Sequence, residues 1–166
     1  MPSIFICYSH QDEAWRDRLL EFLKPLNDEE QIVWSDLDLD AGDMWDEKIK
    51  EILSQVTVAM VLVSQSLLNS PYVKNEELPR LLKRREAEGV RIIPLFLKRS
   101  SVEDVPFKYT NKEGIEQKFY LNQFQSPRNN SPSNPLYTLS EPEQDKVLLS
   151  IAKNLRSLIE ESKKKR

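Results

Sequence analysis

Val56-Thr57-Val58-Ala59-Met60-Val61-Leu62-Val63-Ser64 is the most apolar stretch of this chain. It is too short to cross a membrane, and its hydrophobicity is continuous instead of alternating. It therefore reads as a strand covered on both faces, the natural centre of a parallel sheet. Immediately upstream, Trp45, Ile49, Ile52, Leu53 and Val56 recur at i, i+4, i+7, i+8 and i+11. That spacing predicts an amphipathic helix opened by Asp43. The same template appears earlier in Trp15, Leu19, Phe22, Leu23 and Leu26, behind Ser9 and Asp12, which read as a capping pair. Strands are expected at Ser3–Tyr8 and Gln31–Asp36, one before each helix.

Downstream, Ser70-Pro71 sets a capping residue before a Pro at the first helical position. Tyr72–Glu88 is expected to be helical, with Gly89 past its end. Pro79 inside that run removes a backbone donor and should bend or restart the helix. Val90–Leu97 reads as a further strand whose Pro94 argues for a sheet edge or a bulge. Lys98–Lys118 reads as loop, Phe119-Tyr120-Leu121 as a short fifth strand, and Asn122–Pro142 as irregular. Val147, Leu148, Ile151, Leu155 and Leu158 form a last helical stripe. Strand-helix alternation of this kind predicts an α/β three-layer sandwich, a central parallel sheet of about five strands with helices on both faces.

Composition narrows the function. The chain has 166 residues, of which 39% are hydrophobic, enough for one ordinary domain, taken as 1–160 with 161–166 as a basic tail or junction. It contains three Gly, one His and one Cys. That excludes a Cys/His zinc site, a disulfide framework, the dinucleotide fingerprint and the P-loop, so no metal is expected. Nucleophilic triads would have to run through His10. A lone thiol suits a reducing compartment, and a cytoplasmic location is expected. The N-terminus carries no signal-sequence pattern, and no apolar run approaches the roughly 20 residues of a membrane span.

The net charge of −3 creates no strong field for nucleic acid or a membrane surface. Locally, Asp28–Glu51 carries ten acidic residues against two Lys, whereas Tyr72–Arg99 carries eight basic against four acidic. These stretches are either two solvated faces or complementary surfaces for self-association.

In an open parallel sheet, ligands bind outside the carboxyl ends of the strands. That geometry selects Tyr8, Ser9 and His10, then Asp36–Trp45, then Ser64–Glu77. Glu76 and Glu77 both lie in the last of these.

Ile4-Phe5-Ile6-Cys7-Tyr8-Ser9-His10-Gln11-Asp12 resembles the first box of TIR domains, a strand of the form F-I-S-Y-S before a polar helix start. Val33-Trp34-Ser35-Asp36, an acidic loop, and Gly42-Asp43-Met44-Trp45 are similar to the strand, BB loop and helix that follow in that family. Ser64–Tyr72 followed by Glu76-Glu77-Leu78-Pro79 resembles the segment carrying the family's glutamate. The likeness runs from about Ile4 to about Leu158 and is nearest to bacterial members.

The resemblance implies a flavodoxin-like fold and cleavage of NAD+ between nicotinamide and ribose. NAD+ is then the substrate, and no cofactor is needed. It gives nicotinamide and ADP-ribose, or a cyclic ADP-ribose, in an effector of bacterial anti-phage immunity switched on by self-assembly. Matching on the aliphatic residue after the glutamate selects Glu77 as catalytic. Matching on the aromatic residue four positions before it runs from Tyr72 to Glu76; the E-L-P form favours Glu77. The implied substrate-binding set is Tyr8, Ser9, His10, Asp36, Gly42, Trp45 and Tyr72. From the residues alone, Tyr8 and Tyr72 suit packing as well as a pocket, Ser9 a cap, His10 a solvated helix start, Asp36 a turn, and Trp45 the core. Expected partners are NAD+, further TIR domains through Leu37–Trp45, and a fused or associated sensor domain. Asp38, Asp40 and Asp43 stand where the family often carries Lys or Arg in that loop. The alternative is a non-catalytic TIR module that only assembles with others.

Overall fold

A computed structural model describes residues 4–27, 31–35 and 44–164. Strands β1 (Ile4–Cys7), β2 (Val33–Trp34), β3 (Val58–Val63) and β4 (Arg91–Phe96) form one parallel sheet in the order β2-β1-β3-β4. The fold is the α/β arrangement expected, with four strands in the sheet instead of five. All six residues of β3 are buried, as its continuous apolar run requires.

The period of two along each strand divides the core between the faces. Phe5, Cys7, Ala59, Val61 and Val63 face the helices α2 (Trp45–Leu53) and α4 (Leu78–Glu88). Ile4, Ile6, Met60 and Leu62 face α1 (Glu13–Leu23) and the long α5 (Glu141–Lys164). Among the described residues, no helix is long and apolar enough to cross a membrane.

Pro94 does sit on an edge strand. The amides of Arg91 and Leu97 point inward to Thr57 and Val63, so Ile92, Pro94 and Phe96 turn their backbone groups outward. The donor that proline lacks is therefore one the edge never uses. At Phe96 the edge is closed by Asn130, which accepts from the Phe96 amide (2.8 Å) and donates to its carbonyl (2.9 Å).

The fifth strand goes elsewhere. β5 (Phe107–Thr110) and β6 (Glu116–Phe119) form a separate antiparallel hairpin mostly within the stretch expected to be loop; of the expected strand Phe119–Leu121 only Phe119 belongs to it, and Leu121 opens a 3-10 turn. Its turn is built by Asn111, whose side chain accepts from the amides of Glu113 (3.0 Å) and Ile115 (2.9 Å), and by Gly114 at φ 77°. β5 alternates buried and exposed residues, so the signal was present but short.

The capping pair is also rearranged. Ser9 caps a 3-10 turn, His10–Asp12, while the buried Asp12 carboxylate accepts from the hydroxyl of Ser64. That bond ties the start of α1 to the end of β3. Ser64 in turn caps α3 (Gln65–Leu68) by accepting from the Leu67 amide at 3.1 Å.

Candidate active site

Between α3 and α4 the helix does not run evenly. Pro71 and Tyr72 are helical, Val73–Glu77 is a π-turn, and α-helix resumes at Leu78, whose amide bonds back to the carbonyl of Val73, five residues earlier. Pro79 explains the wide turn: it offers no amide to the Asn75 carbonyl and crowds it, so the ladder must shift there.

The extra residue has a geometric effect. An α-helix turns about 100° per residue, which would set Leu78 roughly 140° and Leu82 about 180° away from Val73. Widened by one residue, the turn brings Val73, Glu77, Leu78, Leu81 and Leu82 to one buried face. Glu77 is drawn in with four hydrophobic neighbours and is 8% exposed. Glu76 points outward and pairs with Arg80 at 3.5 Å.

The Glu77 carboxylate closes the floor of a cavity of about 470 Å³ at the carboxyl ends of β1 and β3. Tyr8, Ser9 and His10 line it from the loop after β1, Trp45 from the start of α2, and Tyr72 from the turn before Glu77. The structure thus brings together Glu77, Tyr8, Ser9, His10, Trp45 and Tyr72, leaving Glu76 outside. Asp36, Gly42 and most of the Leu37–Trp45 loop lie outside the described residues.

Each wall has a local cause. Tyr8 is half-buried, its hydroxyl accepting from the buried Arg16, whose guanidinium lies 4.8 Å over its ring. The rings of Tyr8 and His10 meet edge-on at 6.0 Å. Ser9 Oγ accepts weakly from the Gln11 amide at 3.4 Å, so it both caps and lines. Trp45 is not in the core as its stripe suggested. It begins α2, is 43% exposed, and lays its ring 4.4 Å from that of Tyr72, forming an aromatic rim. The Tyr72 hydroxyl donates to Asp46 at 3.4 Å. Burial, then the negative charges of Glu77 and Asp46, raise its pKa, so it stays a phenol.

Cys7 is the participant that motif reading passed over. Its thiol donates to Glu77 Oε1 at 3.2 Å from within the core. Burial first, and the Glu77 charge second, push the thiol well above its ordinary range, so the sulfur keeps its proton. Strand parity was the available clue: Cys7 shares the face of Phe5 and lies at the carboxyl end of β1.

Among the described residues lining the cavity, Glu77 supplies the only carboxylate, and there is no Lys or Arg. A carboxylate under aromatic walls suits a cationic ring, and its oxygens suit hydroxyl donors.

The TIR domain family model matches residues 4–130. A curated relative, the uncharacterized protein y4lF of Sinorhizobium fredii (strain NBRC 101917 / NGR234), is 30% identical over 112 residues, 67% of this chain. The chain spans 35% of that relative's length. Among solved structures, the TIR domains of the activated Roq1 resistosome directly recognizing the pathogen effector XopQ match with a TM-score of 0.51 at 18% identity. That match covers 58% of each chain and speaks for the fold.

Proposed function

The chain belongs to the TIR domain family, and from that footing we propose that it cleaves the nicotinamide-ribose bond of NAD+, with Glu77 as the catalytic carboxylate. The observation that carries the reading is a buried carboxylate, hydrogen-bonded by Cys7, at the base of a cavity with Trp45 and Tyr72 at its rim.

Nicotinamide leaves as a neutral base from a positively charged ring, so no general acid need protonate it. Glu77 accepts hydrogen bonds from the ribose hydroxyls and stabilises the positive charge that grows on the sugar as the bond opens. The aromatic rim holds the departing ring. Water then adds to the sugar carbon and releases one proton, giving ADP-ribose; attack by the substrate's own adenine gives a cyclic product instead.

A cation favours binding of the NAD+ pyrophosphate, and the described lining has none. In this proposal a second copy supplies it, through the basic Tyr72–Arg99 stretch meeting the acidic Asp28–Glu51 stretch of its neighbour. Turnover then follows assembly, driven by a fused or associated sensor, as in an anti-phage effector. The same missing cation favours a second reading, a non-catalytic TIR module.

The test is to incubate the protein with NAD+ over a wide concentration range and follow nicotinamide. Release that is lost in Glu77→Gln and kept in Glu76→Gln supports the enzyme. No release at any concentration supports the module.

A further inference from the structure

We propose that a second cavity, along the open edge of β4, binds a small organic anion bearing two or more phosphate groups and a flat ring, the chemistry of a nucleoside diphosphate. The proposal does not depend on the reading given to the Glu77 cavity.

This cavity encloses about 830 Å³ between the C-terminal end of α4, the start of β4, residues 124–128 and α5. That volume is in the range of roughly 300–1,000 Å³ found for small-molecule and cofactor sites. Three arginines, Arg85, Arg91 and Arg128, are among its lining residues, and all three are exposed. None of them is ion-paired among the described residues. The one carboxylate in the described lining, Glu86, is occupied by the Tyr109 hydroxyl at 2.7 Å.

Three unpaired guanidiniums against one engaged carboxylate leave a positive cavity in a chain whose net charge is negative. Guanidinium forks match phosphate oxygens two at a time, which is why an anion with several phosphates is preferred over a single carboxylate. Phe124 supplies a flat apolar surface beside them, already gripped by Arg85 at 5.1 Å from its ring centroid.

A protein strand is a poorer occupant. The outward backbone groups of β4 begin at Ile92, but Pro94 has no amide and those of Phe96 are taken by Asn130. Strand addition would stop within a residue or two, whereas a compact ligand uses the side chains and needs no ladder.

The test is isothermal titration calorimetry of the full chain with ADP, inorganic pyrophosphate and adenosine, run in parallel on Arg91→Glu/Arg128→Glu and on Glu77→Gln. Arg91 and Arg128 are exposed, so the double variant should melt as the parent does. Arg85 is left intact because it packs on Phe119 and Phe124. ADP is expected to bind most tightly, pyrophosphate less so and adenosine least. The double variant should weaken ADP at least ten-fold, and Glu77→Gln should leave it unchanged. Absence of ADP and pyrophosphate binding at millimolar concentration overturns the proposal. So does ADP binding that survives the double variant or is lost in Glu77→Gln.

Discussion

The thiol of Cys7 and the carboxylate of Glu77, seventy positions apart in the chain, meet at 3.2 Å inside the core. A strand end thereby holds one oxygen of a helix-borne acid in place. Cys7→Ser keeps a donor there and should stay within about 1 kcal/mol of the parent, whereas Cys7→Val leaves a buried carboxylate short of one partner, at a cost of about 1–3 kcal/mol. Urea unfolding at pH 7 measures both. Equal stability of the two variants would show that the contact contributes nothing.

The same contact has a pH consequence. Burial, then Glu77, holds the folded thiol's pKa above its unfolded value, so the folded chain keeps a proton that the unfolded chain releases above about pH 8.5. The stability this contributes is complete below that pH and is lost as pH rises toward the folded value, at no more than about 1.4 kcal/mol per pH unit. Tyr72 and Tyr109, both raised chiefly by burial, act in the same direction only from about pH 10. Unfolding free energies of parent and Cys7→Ser, compared at pH 7.5 and pH 9.5, should therefore converge in the serine variant's favour. A constant difference rejects the linkage.

The π-turn at Val73–Glu77 holds one residue more than an α-turn would. Deleting Asn75, which is exposed, removes that residue and keeps Val73, Glu77, Leu78, Leu81 and Leu82 on one face, but it sets Pro79 inside a regular helix against the Lys74 carbonyl. The shortened protein should fold with a loss of about 3 kcal/mol, most of which Pro79→Ala in the shortened chain should restore. Thermal and urea melts decide it; a shortened chain as stable as the parent would reject Pro79 as the cause of the wide turn.

Trp45 and Tyr72 form the rim by their rings, not by their polar ends. Trp45→Ala should change stability by less than about 1 kcal/mol yet, in the proposed reaction, raise the KM for NAD+ about five-fold, the order of one lost aromatic contact. Tyr72→Phe keeps the ring and loses only the long bond to Asp46, so its KM should move less than about two-fold. Initial rates of nicotinamide release distinguish the two. Equal effects would mean that the hydroxyl matters as much as the stack.

Asn130 substitutes for a missing strand at Phe96 by making both of its backbone hydrogen bonds. Asn130→Ala strips a buried amide and carbonyl together and should cost about 2–4 kcal/mol. Denaturant unfolding tests this, and a loss below 0.5 kcal/mol, roughly the scale of an ordinary surface change, would mean that water serves the edge equally well.

The layered architecture was legible because β1 and β3 are continuous apolar runs and the stripes of α1, α2 and α5 are long enough to establish a period. Pro94 announced the edge correctly, for a reason that can be read from one residue. The hairpin was not legible, since its strands have four residues each and their alternation is too brief to stand out. Trp45 was misread because it falls in phase with Ile49 and Ile52 while standing at the first position of α2, where the helix has already left the core. Leu78 and Pro79 singled out Glu77, which is the acid that lines the cavity. What could not be read was that Cys7 would lie beneath it, because nothing local to either residue specifies the other.

Two spacing rules counted to different acids here, four residues from Tyr72 to Glu76 and one residue back from Leu78 to Glu77, and the wide turn accounts for the disagreement. It works as a one-residue gap written inside a helix. An alignment that forbids gaps in helices will set Glu76 where Leu78 points to Glu77, and will sample a surface acid instead of the one that lines the cavity. Comparisons of this segment should be anchored on Leu78-Pro79 and allowed one open position between Tyr72 and Glu77. With that gap, a column test for the carboxylate samples the residue that faces the cavity.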